Sequence, residues 1–360
     1  MRASVPFAQV LSGGDNALNF LRLVLASGVV VGHAWPFVTG ADGPMPGGMS
    51  LGVWCVSGFF GISGYLVTGS RMRLPFLDYL GRRALRILPA FWVCLVVTAV
   101  VFAPLSAMLA GDPVQIVDAG SAASYVGANG GLWIFQAGID GTLTHVQIPG
   151  DWNGSLWTLS YEFAAYLAIG ALFGLVRGEQ GRRRVCLVLA GVLVVGNLLG
   201  EVRGVAAGVF VYTVWLGGAF LCGAVIRTWR DRVPCDARLA AGAAAVLVVA
   251  CLLDLPRTLG APALTYLLLW AGATLPIRLG RRHDVSYGIY IYAFPVSQLL
   301  GSSALDPHLG VPAQATLTFL LCLPLAWASW LLVESPAMRH HAALTRFHDR
   351  AATAPAERSQ

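Results

Sequence analysis

Of the chain's 360 residues, 56% are hydrophobic and only 12% are charged, and its mean hydropathy is +0.68. A soluble globular domain carries about twice that charged fraction, so this composition excludes a soluble fold and predicts an integral membrane protein. The net charge of +6 comes from 24 basic residues, all of them arginine, and the seven cysteines show no metal-ligand spacing. We therefore expect a lipid bilayer as surroundings, with no metal site and no nucleic-acid partner.

Ten apolar runs follow one another along the chain, and a bilayer-spanning helix needs roughly 17 to 25 residues. They lie near residues 18–38, 51–69, 88–109, 155–176, 185–199, 205–226, 239–254, 259–278, 286–304 and 313–334. The first run lacks the features of a cleavable signal peptide, so we expect it to be retained as a membrane anchor. The sequence predicts an all-α membrane bundle of about ten helices over residues 1–334, followed by a polar cytoplasmic tail over 335–360.

The arginines alternate between the loops in a way that orients the bundle. With both termini in the cytoplasm, 21 of the 24 arginines fall in cytoplasmic segments, Arg203 and Arg257 lie outside, and Arg22 lies within a span. Basic residues accumulate on the cytoplasmic side of membrane proteins, so this distribution predicts that orientation. The outer loop at about 110–153 has no arginine and is too long to be a simple connector.

Ionisable side chains inside a span cost free energy and therefore indicate function. Arg22 and His33 lie on the first span, eleven residues apart, which returns the helix to within roughly 20 degrees of the same face and about 16 Å along its axis. Both are candidate catalytic residues. Alternatively, Arg22 extends to the headgroups and His33 bonds a neighbouring helix.

Glu162 is the third such residue, and it lies on the fourth span at about the depth that His33 reaches from the outer side. A carboxylate can orient an imidazole and stabilise its charged form, so we predict that the two side chains meet and work as a general base. The alternative is a structural hydrogen bond between two buried polar groups.

A basic cluster marks the inner mouth of the third span. Arg82, Arg83 and Arg86 suit phosphate recognition, because guanidinium binds phosphate through two parallel hydrogen bonds. Ordinary anchoring of a helix on the cytoplasmic side would explain the same residues. Ser63, in the small-residue stretch of the second span, is a further candidate for donor binding, although a bond across a helix interface is a simpler role.

Taken together, these residues resemble the acyltransferase 3 family of integral membrane acyltransferases. The shared motifs run in order across nearly the whole chain: Arg22 with His33, Phe59 to Gly64, Arg83 with Arg86 and Pro89, Trp157 with Glu162, Ser286 to Tyr290, and Glu334 with Pro336. One departure is Ala293, where many relatives carry histidine. A mechanism that needs a second intramembrane histidine is therefore not expected.

The resemblance implies transfer of an acyl group, often acetyl, from acyl coenzyme A on the cytoplasmic side to a hydroxyl of an extracytoplasmic acceptor. Arg82, Arg83 and Arg86 would bind the coenzyme phosphates and His33 would act as general base. Trp152, Asn153 and Trp157 are the candidate acceptor contacts. We expect a multi-pass protein of a bacterial cell membrane that acts on an envelope or exported glycan. The alternatives are a small natural product such as a macrolide as acceptor, or a secondary transporter.

Overall fold

The computed structural model describes residues 5–205, 207–280, 283–303 and 308–339, and its regular structure is almost entirely helical. The helices are α1 (Phe7–Val10), α2 (Leu18–Thr39), α3 (Leu51–Arg71), α4 (Phe76–Val97), α5 (Ala103–Leu109), α6 (Ala119–Asn129), α7 (Trp157–Leu175), α8 (Glu179–Val202), α9 (Val209–Thr228), α10 (Ala237–Leu252), α11 (Ala261–Thr274), α12 (Ser286–Gly301) and α13 (Val311–Ser329). The described strands, β1 (Val5–Pro6) and β2 (Pro234–Cys235), form a short antiparallel pair.

Each of the ten predicted spans falls on helical residues, but the third, predicted from residue 88, belongs to a helical stretch that already begins at Phe76. Seven helical stretches are long and apolar enough to cross a membrane: Leu18–Thr39, Leu51–Arg71, Phe76–Leu109, Trp157–Leu175, Glu179–Val202, Val209–Thr228 and Val311–Arg339. Helices α10, α11 and α12 are shorter. The prediction of an all-α polytopic membrane bundle is confirmed. The predicted tail lies outside the described residues from position 340 onward, and the orientation of the termini stays a prediction.

Among the described residues, π turns occur at Thr98–Phe102, Pro256–Gly260 and Trp330–Glu334; the second leads into α11, and the other two lie within long helical stretches. Turns of this kind insert one extra residue into the helical ladder and occur often at functional sites. The first joins α4 to α5, and the last continues α13 and carries a buried glutamate, Glu334. The last π turn therefore sets the direction in which Glu334 leaves its helix.

Helix α3 occupies the middle of the bundle and packs most extensively on α9, with α2 and α11 beside it. Its glycines allow this approach. A Cβ atom at Gly64 would overlap the carbonyl oxygen of Phe220, and one at Gly223 would overlap that of Gly61. Close packing of small residues is the main source of helix association in a bilayer, where burial of apolar side chains contributes little. The predicted role of the Phe59 to Gly64 stretch in close packing is confirmed.

Helix α12 is the second central element, because almost all its residues are buried between α2, α13, α4 and α5. It is also unusually polar for a buried membrane helix, with three tyrosines, two serines and one glutamine. Such a helix is stable in a bilayer only when neighbouring helices satisfy its polar groups. The polar residues of α12 therefore point to the interior of the bundle as the place to look for a site.

The outer loop, residues 110 to 156, has a defined folded structure. Asp118 accepts a hydrogen bond from the backbone N–H of Ser121 and so begins α6 with a side-chain cap. Asn129 is fully buried and holds the chain at Phe135 and Gln136 through three hydrogen bonds. The loop is thus ordered by its own polar side chains.

The tight α3–α9 crossing gives a test of the packing. Gly64→Ala should destabilise the protein by roughly 1 to 3 kcal/mol, because the added methyl group forces two helix backbones apart. Gly191→Ala on α8 is the matched control, because no atom lies within 4 Å of its added Cβ. Helix propensity should make that change neutral or stabilising by up to about 1 kcal/mol. Thermal unfolding of both variants in one detergent compares them, and equal midpoints would contradict the packing model.

Candidate functional site

A network of four charges, two buried and two partly buried, lies at the end of the bundle where α2 and α12 begin. Arg22 on α2 and Arg86 on α4 each donate a hydrogen bond of 2.7 Å to Asp284 Oδ2, just before α12. Arg86 also forms an ion pair with Glu334 in the last π turn. Two positive and two negative groups therefore neutralise each other, which is the condition for placing charges in an apolar interior.

Hydroxyl groups and aromatic rings complete this charge network. Ser286 Oγ donates to Asp284 Oδ1 at 2.5 Å, and Ser329 Oγ donates to Glu334 Oε1 at 3.0 Å. The guanidinium of Arg86 also lies over the rings of Tyr287 and Trp330, 5.6 and 5.5 Å from their centroids. Each of these cation–π contacts helps to hold the guanidinium group of Arg86 in its position.

Asp284 is the hub of the network, since its carboxylate serves both arginines. Burial acts to raise the pKa of Asp284, but Arg22 and Arg86 outweigh burial and hold this pKa below its ordinary value. Asp284 therefore stays ionised and keeps both guanidinium groups in place. The sequence analysis did not single out this residue. The available signal was an acidic side chain two residues before the Ser286 to Tyr290 motif, at the start of a span.

The three arginines predicted to bind phosphate differ in their surroundings. Arg82 is exposed, and Arg86 directs its donors to Asp284 and Glu334. Arg83 is partly buried, and within the described residues its guanidinium has no hydrogen-bond partner, although the Nε atom is buried. Its charge acts on the nearby Tyr79 and Tyr166. Arg83 is thus the arginine of the three that combines partial burial with free donors.

Next to the charge network lies a small cavity of about 30 Å³. Its walls come from α2, α3, α7 and α12: Arg22, Val56, Phe59, Phe60, Thr158, Leu159, Glu162, Ser286, Tyr287 and Tyr290. Glu162 Oε1 accepts hydrogen bonds from Ser63 Oγ at 2.8 Å and from Tyr166 OH at 2.5 Å. Arg22 and Glu162 therefore share one cavity, and Ser63 is bonded across a helix interface, as its simpler predicted role required.

His33 lies beyond this cavity, toward the outer loop. Its ring meets the edge of Phe294 with centroids 5.7 Å apart, and Asp42, after the end of α2, is the acidic residue whose charge reaches it. Among the described residues neither ring nitrogen of His33 has a hydrogen-bond partner, and Nδ1 is buried. A buried polar atom without a partner is rare in proteins and often marks a binding or catalytic position. The expected contact with Glu162 is not formed in this conformation.

Successive turns of α12 connect these parts. Ser286 belongs to the charge network, Tyr290 lines the cavity, Phe294 contacts His33 and Gln298 bonds the outer loop at Ile148 and Asp151. Ser302, just after α12, lines a polar cavity of about 370 Å³ under the loop. Sixteen residues of helix cover about 24 Å, which is most of a bilayer core. Helix α12 therefore links the charge network, the cavity, His33 and the outer loop.

The predicted acceptor residues occupy different positions. Trp152 is fully buried and donates to Thr142 Oγ1 at 2.9 Å, and Asn153 is buried and donates to Tyr125 OH and Thr98 Oγ1. Both fix the loop, so contact with a ligand would require the loop to open. Trp157 is partly exposed in an aromatic cluster on the flank of the bundle. Acceptor contact by these three residues stays a prediction.

Asp151 is an acidic residue of the loop that lies close to Phe294. A Cβ atom at Gly154 would meet both the Oδ2 atom of Asp151 and the ring of Phe294, so the three are close neighbours. Burial raises the pKa of Asp151, and the hydrogen bond from the backbone N–H of Asn153 offsets this only in part. The polar region on the outer side of His33 thus includes a carboxyl group that gains a proton more readily than usual.

Removal of one charge from the network tests how much the network contributes to the stability of the protein. Glu334→Gln should destabilise the protein by about 3 kcal/mol or more, because Arg86 would keep a buried charge with one partner missing. Glu179→Gln is the matched control. Its carboxylate is 64% exposed and pairs with Arg183 on the surface, where such a pair contributes at most about 1 kcal/mol. Thermal unfolding of the two variants is measured in the same detergent. Equally small decreases in their melting temperatures would show that the charge network does not stabilise the bundle.

Comparisons with known proteins agree with this architecture. The family model described as acyltransferase domain, acyltransferase 3, matches residues 15–331. An O-acetyl transferase of Shigella phage Sf6 is 28% identical over 336 residues, covering 89% of this chain and 95% of the relative. Nodulation protein 10 of Rhizobium leguminosarum bv. viciae is 26% identical over 358 residues, covering 91% and 94%. No solved structure gives a significant match. The chain therefore belongs to the acyltransferase 3 family and is a membrane-embedded O-acyltransferase.

Proposed function

We propose that this acyltransferase moves an acetyl group from acetyl coenzyme A to a hydroxyl of a cell-envelope or exported glycan, across a bacterial cell membrane. The donor enters at the face that holds Arg82, Arg83 and Arg22, and the acceptor approaches from the face covered by the outer loop. His33 acts as the general base between them. The observation that carries this proposal is the unpartnered imidazole of His33, between a charged inner site and a polar outer cavity.

The donor side is supported by the contrast among the arginines. A coenzyme phosphate needs guanidinium donors that are free, and Arg83 has them while Arg86 is committed to Asp284 and Glu334. In this proposal Arg83 and the exposed Arg82 bind the phosphates, and Arg86 adds positive charge and holds the helices. Arg22, fixed by Asp284, borders the cavity through which the pantetheine arm would pass toward His33.

The chemistry is a general-base transfer. An imidazole nitrogen of His33 accepts the proton of the acceptor hydroxyl, and the oxygen forms a bond to the thioester carbonyl carbon. The carbon–sulfur bond then breaks, and the coenzyme A thiolate takes the proton back from the imidazolium. A positioned base of this kind contributes typically 100-fold to 10,000-fold to a rate. Direct transfer and an acyl-histidine intermediate use the same residues, and only the second would leave labelled acyl on His33 after mixing with donor alone.

Glu162 acts in this proposal as a positioning residue. Its carboxylate accepts from Ser63 and Tyr166 and lines the cavity beside Arg22 and Tyr290. It contributes negative charge and shape where the donor arm would lie, and it does not touch the imidazole. Its loss should therefore slow transfer less than the loss of the base.

The acceptor proposal rests on the outer face. A hydroxyl-rich molecule suits the cavity of about 370 Å³, whose lining includes Asp112, Thr142, Thr144, His145 and Ser302. The name of the Shigella phage relative supports acetyl as the transferred group. A small natural product with hydroxyls, such as a macrolide, is the alternative acceptor with the same catalytic residues. The secondary transporter is no longer a competing hypothesis, because the chain belongs to an acyltransferase family.

Replacement of the base is the test of the proposal. His33→Gln should lower turnover by about 100-fold or more while the protein inserts and unfolds as the wild type does. Glu162→Gln should cost less, because its carboxylate lines the donor cavity and does not contact the imidazole. His308→Gln, at an exposed position outside the α-helices, is the matched control. Release of coenzyme A in the presence of acceptor is the measurement. More than about a tenth of wild-type turnover in His33→Gln would exclude it as the base.

The donor site has a separate test. Arg83→Ala should raise the apparent KM for acetyl coenzyme A by about tenfold or more, because a hydrogen bond to a charged group is worth about 1.5 to 3 kcal/mol, and should leave the KM for the acceptor nearly unchanged. Arg83→Lys should recover only part of this, since an ammonium lacks the planar fork. Arg86→Ala should instead lower the melting temperature. An unchanged donor KM in folded Arg83→Ala would remove Arg83 from the donor site.

A further inference from the structure

An apolar groove of about 550 Å³ lies on the flank of the bundle, between α7, α8 and α9. Small residues, Ala164, Ala168 and Gly217, keep it open, and Leu172 and Leu193 are among the larger residues of its walls. On α7 it extends from Ser160 to Leu172, which is about 18 Å along the helix. The groove thus has the dimensions and lining of a site for one hydrocarbon chain.

The surface around the groove faces lipid. Val188, Val192 and Val195 on α8 are 61%, 58% and 55% exposed, as expected for side chains in contact with a bilayer. A chain can therefore enter sideways from the membrane without passing through water. The groove's occupant should accordingly be anchored in the bilayer.

The groove is directly connected to the proposed reaction site through α7. Tyr161 lines the groove, and the next residue, Glu162, lines the cavity beside Arg22. In the opposite wall, Phe220 contacts the ring of Tyr166, whose hydroxyl bonds Glu162.

The outer end of the groove carries groups suited to a polar head. Trp157 packs on Tyr212 with centroids 4.6 Å apart, and Trp133 lies 6.2 Å from Tyr161, so four aromatic rings form one cluster there. Aromatic side chains with polar tips prefer this boundary between apolar and polar surroundings. Gly154, shortly before α7 begins, lies against the ring of Phe294, which contacts His33. Trp157 of the cluster is the first residue of α7, so a head group there lies at the end of α7 that follows this contact.

Two arginines add positive charge at this end. Arg203 follows α8 and is exposed, and Arg257 Nη1 donates to the carbonyl of Val205 in the turn between α8 and α9. They are the two arginines that the predicted orientation assigns to the outer side, where basic residues are otherwise scarce. The carboxylate of Glu201 is taken up by the backbone N–H groups of Arg257 and Thr258 and by the Thr258 hydroxyl. Two guanidinium groups near the turn that precedes Val209, a residue of the groove wall, complement a phosphate.

We propose that the acceptor is a lipid-linked glycan phosphate, with its hydrocarbon chain in the groove and its phosphate near Arg203 and Arg257. Its first sugars lie beside the aromatic cluster, and its later sugars reach the polar cavity under the outer loop. This inference rests on the proposed transfer to a glycan hydroxyl and specifies how the glycan is presented. Because the chain anchors the acceptor in the plane of the membrane, the hydroxyl approaches His33 by lateral diffusion and not from bulk solvent.

Photo-crosslinking of the purified full chain in nanodiscs tests the groove without measuring turnover. A diazirine-bearing polyprenyl phosphate should label α7, α8 and α9. The double variant Ala164→Phe and Ala168→Phe should reduce the labelling by about tenfold, because the phenyl rings fill the groove. Ala244→Phe on the exposed face of α10 should not. Arg203→Ala with Arg257→Ala should weaken labelling by the phosphate but not by the matching polyprenol.

Competition decides which lipid the groove selects. Excess unlabelled polyprenyl phosphate should abolish the labelling, whereas phosphatidylglycerol should not. Equal competition by phosphatidylglycerol, or labelling that survives the filled groove, would overturn the proposal and leave a site for bulk lipid. Coenzyme A release by the wild type is measured in parallel. Normal release of coenzyme A without selective labelling would refute the lipid-binding role of the groove and leave the proposed function intact. Selective labelling without acetyl transfer would refute the proposed function and leave the groove assignment intact.

Discussion

Charge neutralisation inside an apolar bundle is the constraint on which the rest of this structure depends. Arg22 and Arg86 can remain charged among membrane helices only because Asp284 and Glu334 pair with them. The pairing joins four separate parts of the chain, the beginnings of α2 and α12, the middle of α4 and the last π turn. Apolar helix faces alone would allow the helices to slide along one another in lipid. The ion pairs fix the relative positions of the helices at one end of the bundle.

Helix α12 extends this fixed end through the membrane. Because its start is bound to the charge network and its end to the outer loop, Tyr290 and Phe294 take defined positions beside the cavity and His33. The polar groups of α12 would be costly in lipid, and the neighbouring helices compensate by surrounding it. A buried polar helix is thus both the most constrained element and the one that connects the two faces.

The site contains polar residues of two kinds, those that are hydrogen-bonded within the protein and those that have no hydrogen-bond partner among the described residues. Arg86, Asp284 and Ser63 have their hydrogen bonds satisfied within the protein. Arg83 and His33 do not, since the structure gives their buried nitrogen atoms no partner. In a folded interior, satisfied groups maintain the geometry, and unsatisfied ones retain the capacity to bind a ligand.

The sequence by itself determined the class of fold, the positions of the ten helices and the identity of the ionisable residues in them, because hydropathy and the cost of intramembrane charge act locally along the chain. It could also identify Gly61 and Gly64 as packing positions. Only the tertiary structure decided which polar groups meet. Helical periodicity gives the face and depth of His33 and Glu162 but not the rotation of α2 relative to α7. Glu162 therefore bonds Ser63 and Tyr166, and Arg22 pairs with Asp284, a residue 262 positions away. Contacts between distant helices depend on how every other helix packs, and no local pattern contains that information.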